Sequence, residues 1–270
     1  MLTKQPGLAP GRDDDVFAQY VGEFPTHQNA VDAIPGWVTK FRPEFNLSAG
    51  TMEAYSDPRI QWALAVFGDL QGRDVLELGP LEGGHSHMLD NAGAFVDAIE
   101  ANKLAFMRCL IAKEVYKMRN VSFFLGDFVR WLRSKEKTYD LIVACGVLYH
   151  MPRPLELLEL ISTRTSAVYL WTHYISESEE SEDDSGAAVT MAPIEVEKFR
   201  NLEVRSQLMR YHAAEQNPAF CGGMRDAHRW LNGNDIVAVL RTLGFSTIEF
   251  NHMDQAHLNG PAMSIFARKG

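Results

Sequence analysis

Cysteine is scarce in this 270-residue chain, and the three present, Cys109, Cys145 and Cys221, are dispersed and odd in number. They make no disulfide framework. No apolar run approaches the roughly 20 residues needed to cross a bilayer, and residues 1–15 hold no apolar stretch of signal-peptide length. The expectation is a cytoplasmic protein with no membrane partner. Positive charge is also short, leaving a formal net charge of −9. A surface that grips nucleic acid is usually basic, because phosphate contacts supply most of the affinity. The balance therefore argues against a nucleic-acid partner, and it fixes no oligomeric state.

Several chemical signatures are missing too. Gly79 is followed by Pro80 and Leu81, so the second glycine of the dinucleotide pattern G-x-G-x-x-G is absent. No Gly-Lys-Ser/Thr follows, which excludes a P-loop, and neither H-E-x-x-H nor paired C-x-x-C occurs. His85 and His87 share one helix turn in poor geometry for one ion, so no metal site is expected.

What is present is a core-forming chain, 46% hydrophobic, that alternates two kinds of segment. Strand-like runs occur at 74–79, 94–101, 121–128, 139–148 and 166–174, with helical patterns between them. The stretch "SDPRIQWALAVFGDLQG" (56–72) predicts a helix capped by Ser56 or Asp57, with Pro58 in its first turn and Gly72 to close it. Strands apolar on both faces between helices indicate a doubly wound, mostly parallel α/β sheet. The last two runs, "STIEFNHM" and "PAMSIFARK", are joined by Asn-Gly-Pro and predict a closing hairpin with an antiparallel last strand, making seven strands. Residues 1–55, rich in proline, glycine and aromatics such as Phe17, Trp37 and Phe41, form a cover or lid, and residues 56–270 form the main domain. That domain carries an insertion at about 175–231 that opens with a solvated acidic loop (175–186) and reads as helical around "PIEVEKFRNLEVRSQLMRYHAAEQ".

The stretch "LELGPLEGGHSH" (77–88) joins the first strand to a helix as E-x-G-x-x-x-G, spanning Glu77, Gly79 and Gly83. Three further features follow in order: Glu100 ends the second strand, Asp127 with Phe128 ends the third, and "YDLIVACGVLYH" matches the fourth. On these residues the chain resembles the class I S-adenosylmethionine-dependent methyltransferases, over roughly residues 56–174 and the closing hairpin. The resemblance implies a Rossmann-like fold with S-adenosylmethionine as cofactor. In that family Glu77 would orient the cofactor's ammonium, and Gly79, Gly83 and Gly84 would admit its methionine part. Glu100 would accept from the ribose hydroxyls, Asp127 would meet the adenine amine beside Phe128, and Cys145 and Gly146 would lie under the sulfonium. Glu77 and Asp127 are also ordinary helix-capping residues, and Cys145 also reads as an inert buried thiol.

Methyl transfer needs a nucleophile in line with the methyl group in a dry site, and a base where that nucleophile arrives protonated. Tyr149, His150 and His173 leave the fourth and fifth strands at their carboxyl ends and are the candidate catalytic residues, His150 and His173 as bases. A small-molecule acceptor is expected. Two alternatives stand beside this reading. "GVLYHMPRPLELL" is similar to a strand of bacterial tRNA wobble-uridine carboxymethyltransferases, which would make Arg153 the cation for a carboxylated cofactor. The other is a non-catalytic binding module that keeps the fold.

Overall fold

The computed structural model describes residues 20–134, 136–176 and 192–270. Seven helices are α1 (His27–Ala33), α2 (Pro58–Phe67), α3 (Gly84–Asn91), α4 (Lys103–Tyr116), α5 (Phe128–Ser134), α6 (Pro154–Arg164) and α7 (Gly233–Thr242). The strands are β1 (Asp74–Leu78), β2 (Phe95–Glu100), β3 (Val121–Leu125), β4 (Leu141–Cys145), β5 (Ala167–His173), β6 (Ile194–Phe199), β7 (Leu202–Met209), β8 (His228–Leu231), β9 (Phe245–Asp254) and β10 (Ala262–Lys269). Seven of them form one sheet in the order β3-β2-β1-β4-β5-β10-β9. Only β10 runs against its neighbours β5 and β9, so the fold and its closing hairpin are as the sequence predicts. No helix among the described residues is long and apolar enough to cross a membrane.

The alternation of side chains along each strand sorts them into two cores, one per face. Leu76, Leu78, Ile142, Leu170 and Ile265 pack with Leu158 and Ile161 of α6 and Ile236 and Leu240 of α7. Val75, Val96, Val143, Tyr169 and Phe266 pack on the other face with Ile60 of α2, Leu89 of α3 and Val115 of α4. Each such side chain contributes about 1.5–3 kcal/mol by leaving water. Helix α2 begins as expected, with the Asp57 carboxylate accepting from the Arg59 amide. It ends at Phe67 and not at Gly72, because Gly68 already supplies the positive φ, 97°, that a helix end favours.

The insertion departs from expectation. Residues 194–209 form the hairpin β6–β7, which β8 extends into a separate three-stranded sheet. The period of two decides this: Leu202, Val204, Ser206 and Leu208 alternate with polar residues, a strand pattern that the helix-forming composition obscures. Val204 and Leu231 then enter the core beside α6 and α7. The acidic stretch expected as a loop falls, from residue 177 to its end, outside the described residues, as does Phe17.

The described part of the N-terminal segment is built into the second core through Val31, Phe41 and Tyr55. Its attachment centres on a buried ion pair, Arg108 Nη1 to Glu82 Oε1 at 2.9 Å. Glu82 also accepts from the backbone amides of Val38 and Thr39. Arg108 Nη2 donates to the carbonyls of Pro35 at 2.7 Å and Pro218 at 2.8 Å. Breaking a buried pair on one side costs about 3–5 kcal/mol, because the remaining charge is left without a partner. Arg108→Met should therefore lower the unfolding free energy by about that amount in urea titration, far more than Arg73→Met at the exposed Arg73–Asp140 pair.

Candidate active site

A cleft of about 500 Å³ opens where the parallel strands end. Its wall includes Gly79 after β1, Glu100 at the end of β2, Asp127 and Phe128 after β3, and Gly146 after β4. Residues far apart in sequence meet there because every parallel strand delivers its carboxyl end to the same edge.

Each of these positions is held by local geometry. Gly79 has φ 67°, and a Cβ there would stand 2.8 Å from Val147 Cγ1, so only glycine fits. The Glu100 carboxylate accepts from the Leu81 amide at 3.1 Å and the Asn102 amide at 2.7 Å. Burial pushes its pKa up, against the pull of those amides. Asp127 serves as the helix-opening acid that its position also suggested, its Oδ1 accepting from the Val129 amide at 2.8 Å. Glu77 lies deeper: Ser86 bonds Oε2, while Oε1 is buried with no partner among the described residues. Burial pushes that carboxyl up as well.

The remaining predicted cofactor residues sit elsewhere. Gly83 has φ 79° and is the N-cap of α3. Gly84 faces the N-terminal segment, where a Cβ would meet Ala54 Cβ at 2.7 Å. Cys145 is half-buried against the second core beside His85, and Gly146 alone of that pair lines the cleft. His85 turns away from His87 to bond Asp57 at 2.9 Å. Burial pulls His85 down, but Cys145 and Asp57 outweigh it and lift the imidazole to about 10. His87 packs between Tyr55 and Tyr116.

The three candidate catalytic residues do meet, in an aromatic cluster above β4 and β5. Tyr149 lies 4.0 Å from His150 and 4.6 Å from His173, ring centre to ring centre. Strand β8 completes the cluster because the Arg229 amide bonds the Met151 carbonyl, which brings His228 and Trp230 alongside. Trp230 stacks on His173 at 4.9 Å and 10°.

Hydrogen bonds orient both histidines. The Tyr211 hydroxyl accepts from the Gly223 amide and lies 2.6 Å from His150 Nδ1. When that hydroxyl donates to Nδ1, His150 carries its proton on Nε2. Burial, with His228 and His173 nearby, lowers its pKa to about 3. His173 Nδ1 meets the carbonyls of Gly260 at 2.9 Å and Pro261 at 3.2 Å, which can only accept. Its proton is fixed on Nδ1 and a lone pair remains on Nε2. Burial lowers its pKa too, so it is neutral at pH 7. Burial pushes the Tyr149 phenol well above its ordinary value, which leaves it a donor.

Arg153 lines the cleft, but its side chain is 72% exposed and pairs with Glu156 at 3.0 Å. Glu156 also bonds Arg133, so one carboxylate serves two guanidiniums there. Glu82, Arg108 and the Asp57–His85 pair were missed in the sequence. The available signal was Arg108 on the same face of α4 as Ala105 and Ala112, a charge among buried positions.

No family model matches the chain, and no curated protein matches it. Solved structures do. The N-terminal domain of EvdMO1, crystallised in the presence of SAH and D-fucose, is similar at TM-score 0.67 and 22% identity, covering 90% of this chain and 95% of that one. Magnesium protoporphyrin IX methyltransferase (ChlM) from Synechocystis PCC 6803 with bound SAH is similar at TM-score 0.51 and 20% identity, covering 79% of this chain and 81% of that one. The 1,6-didemethyltoxoflavin-N1-methyltransferase of Burkholderia thailandensis is similar at TM-score 0.52 and 14% identity, over 80% and 78% of the two chains. Likeness at these identities is likeness of fold: the chain has the Rossmann-like fold of these methyltransferases.

Proposed function

We propose that this protein is an S-adenosylmethionine-dependent methyltransferase acting on a small-molecule acceptor. The observation that carries the reading is the single cleft lined by Gly79, Glu100, Asp127, Phe128 and Gly146, contributed by four successive strand ends. The residues suit the cofactor. Glu77 Oε1, buried and without a partner, offers an acceptor for an ammonium, and Gly79 keeps a Cβ out of the cradle. Glu100, anchored by two amides, keeps acceptor capacity for a pair of hydroxyls. When bound, the cofactor supplies an activated methyl group on a sulfonium.

The chain's own residues then have separable tasks. The turn 148–150, β8 and the 220–225 loop exclude water. His150 Nε2 and the Tyr149 hydroxyl hydrogen-bond the acceptor. His173 Nε2 removes the proton of a hydroxyl acceptor. The described part of the N-terminal segment acts as a cover held in the second core, given how deeply Val31 and Phe41 are buried. The neighbours support a small acceptor: one was crystallised in the presence of D-fucose, and the others are methyltransferases of a porphyrin and of 1,6-didemethyltoxoflavin.

Two measurements test this. Glu100→Ala should weaken calorimetric binding of S-adenosylhomocysteine by about 2–4 kcal/mol, the worth of two hydrogen bonds near a charged group. Unchanged affinity refutes the assignment. His173→Gln should lower kcat by roughly 10²–10⁴-fold while leaving that affinity intact, with turnover read as label passing from methyl-labelled cofactor to extracted small molecules. The sign of the pH effect follows from the lowered pKa. The neutral base persists below the ordinary histidine value near 6.5, so wild-type kcat should hold at pH 6.5 and fall only in more acid solution. That acid limb should vanish in His173→Gln.

A further inference from the structure

Residues 219–225 run along the cofactor cleft as a strap between two anchors. Pro218 is held at one end, its carbonyl accepting from Arg108 Nη2 at 2.8 Å. Asp226 is held at the other, its carboxylate accepting from the Tyr211 amide at 2.9 Å and from Arg210 Nη1 at 2.7 Å. Phe220 and the five residues after it all line the cleft. The strap belongs to no helix or strand. Among the described residues its hydrogen bonds run back to Asn217, with one exception: the Gly223 amide donates to the Tyr211 hydroxyl at 2.8 Å.

That hydroxyl also lies 2.6 Å from His150 Nδ1. Gly223 and His150 both line the cleft, whereas Tyr211 does not, so one oxygen outside the cleft ties two of its walls together. The strap presses on His150 directly as well. A Cβ on Gly223 would stand 2.6 Å from the His150 carbonyl oxygen, so only glycine lets the chain lie this close. The phenol ring has its own supports, stacking on His228 at 4.2 Å and 19° and meeting the edge of Phe220 at 4.9 Å and 83°. His228 is held in turn by its Nδ1 on the Asp226 carbonyl at 2.9 Å. The ring therefore has a place of its own, and what the strap adds is a direction for the hydroxyl proton.

Counting protons gives that direction. Burial, with His228 and His173 nearby, lowers the His150 pKa to about 3, so the ring is neutral at pH 7 and one nitrogen carries a proton. Were that nitrogen Nδ1, the Tyr211 oxygen would accept twice, from His150 and from Gly223. Its own proton would then have no acceptor among the described residues. With Nδ1 bare, the hydroxyl donates to it, the Gly223 amide is accepted, and every group is satisfied. Lifting the strap removes the amide and with it the reason for this choice. A site that admits two substrates and releases two products has to open and shut, and the strap is the wall with the fewest ties.

We propose, resting on the methyltransferase reading, that Tyr211 is a positioning residue that couples closure of the 219–225 strap to His150. The closed strap directs the phenol proton to Nδ1 and leaves an N–H at Nε2, so the acceptor meets that donor only when the cleft is shut. The test is proton–nitrogen correlation NMR on the full chain with nitrogen-15 histidine and glycine, S-adenosylhomocysteine being present. In the wild type His150 should show a protonated Nε2 and a bare, hydrogen-bonded Nδ1. Tyr211→Phe keeps the ring and removes one oxygen, and Asp226→Ala keeps the phenol and frees one end of the strap. Both should move the Nδ1 resonance toward that of an unbonded nitrogen and speed exchange of the Gly223 amide roughly tenfold or more, with the His173 resonances in place. A proton on Nδ1 in the wild type, or either readout unmoved in either variant, overturns the coupling. Transfer of label from methyl-labelled cofactor to extracted small molecules should fall roughly tenfold or more in Tyr211→Phe, and undiminished transfer overturns the positioning role. If the wild-type chain transfers no label, the methyltransferase reading fails, and the resonances still decide the coupling.

Discussion

The Glu82–Arg108 ion pair is the contact on which the rest of the site depends. Both side chains are fully enclosed, and taking two such charges from water costs several kcal/mol each before anything is gained. The structure meets that cost with geometry. Glu82 gathers two backbone amides of the N-terminal segment, and Arg108 gathers two carbonyls, one from that segment and one from the insertion. Glu82 lies in the loop between Gly79 and Gly83. One pair of charges thus joins the glycine loop, the described N-terminal segment and the insertion at Pro218. Because its partners are backbone groups, the pair constrains where these segments run more than which residues they contain. Only the closest approaches need glycine, as at Gly36, where a Cβ would stand 2.4 Å from the Pro218 carbonyl carbon.

A second constraint is the sheet edge itself. Strand ends fix where Tyr149, His150, Trp171 and His173 emerge, but they do not fix which ring nitrogen carries a proton. That choice falls to distant carbonyl and hydroxyl groups. Tyr211 holds the Nδ1 side of His150, and the 260–261 backbone fixes the proton of His173 on Nδ1. Two neighbouring histidines with ordinary sequence contexts therefore acquire different chemical capacities.

This division explains what could be read from the chain. The parallel sheet was legible because burial on two faces leaves continuous apolar runs, and the strand ends follow from them. Gly79, Glu100, Asp127 and Gly146 could be placed for the same reason, since position along a strand is local information. The insertion was not legible, because Glu, Lys and Arg between its apolar residues favour helix in composition while the spacing favours strand. Nor were Glu82 with Arg108 or Asp57 with His85, pairs separated by 26 and 28 residues and joined only by the fold. Their partners are contributed by packing, and no short motif records packing.

The tautomer of His173 has a consequence for the order of events during synthesis. Its Nδ1–H is held by carbonyls 87 and 88 positions further along the chain, in the turn between β9 and β10. Chains emerge from the ribosome at about 5–20 residues per second. For several seconds a nascent chain can therefore possess every strand from β1 to β5, and with them the cofactor-facing residues, while His173 remains free to choose either tautomer. Pairing of β10 with β5 then completes the sheet and fixes the ring in one event. A product truncated before residue 260 would carry the full set of cofactor-facing residues without an oriented base.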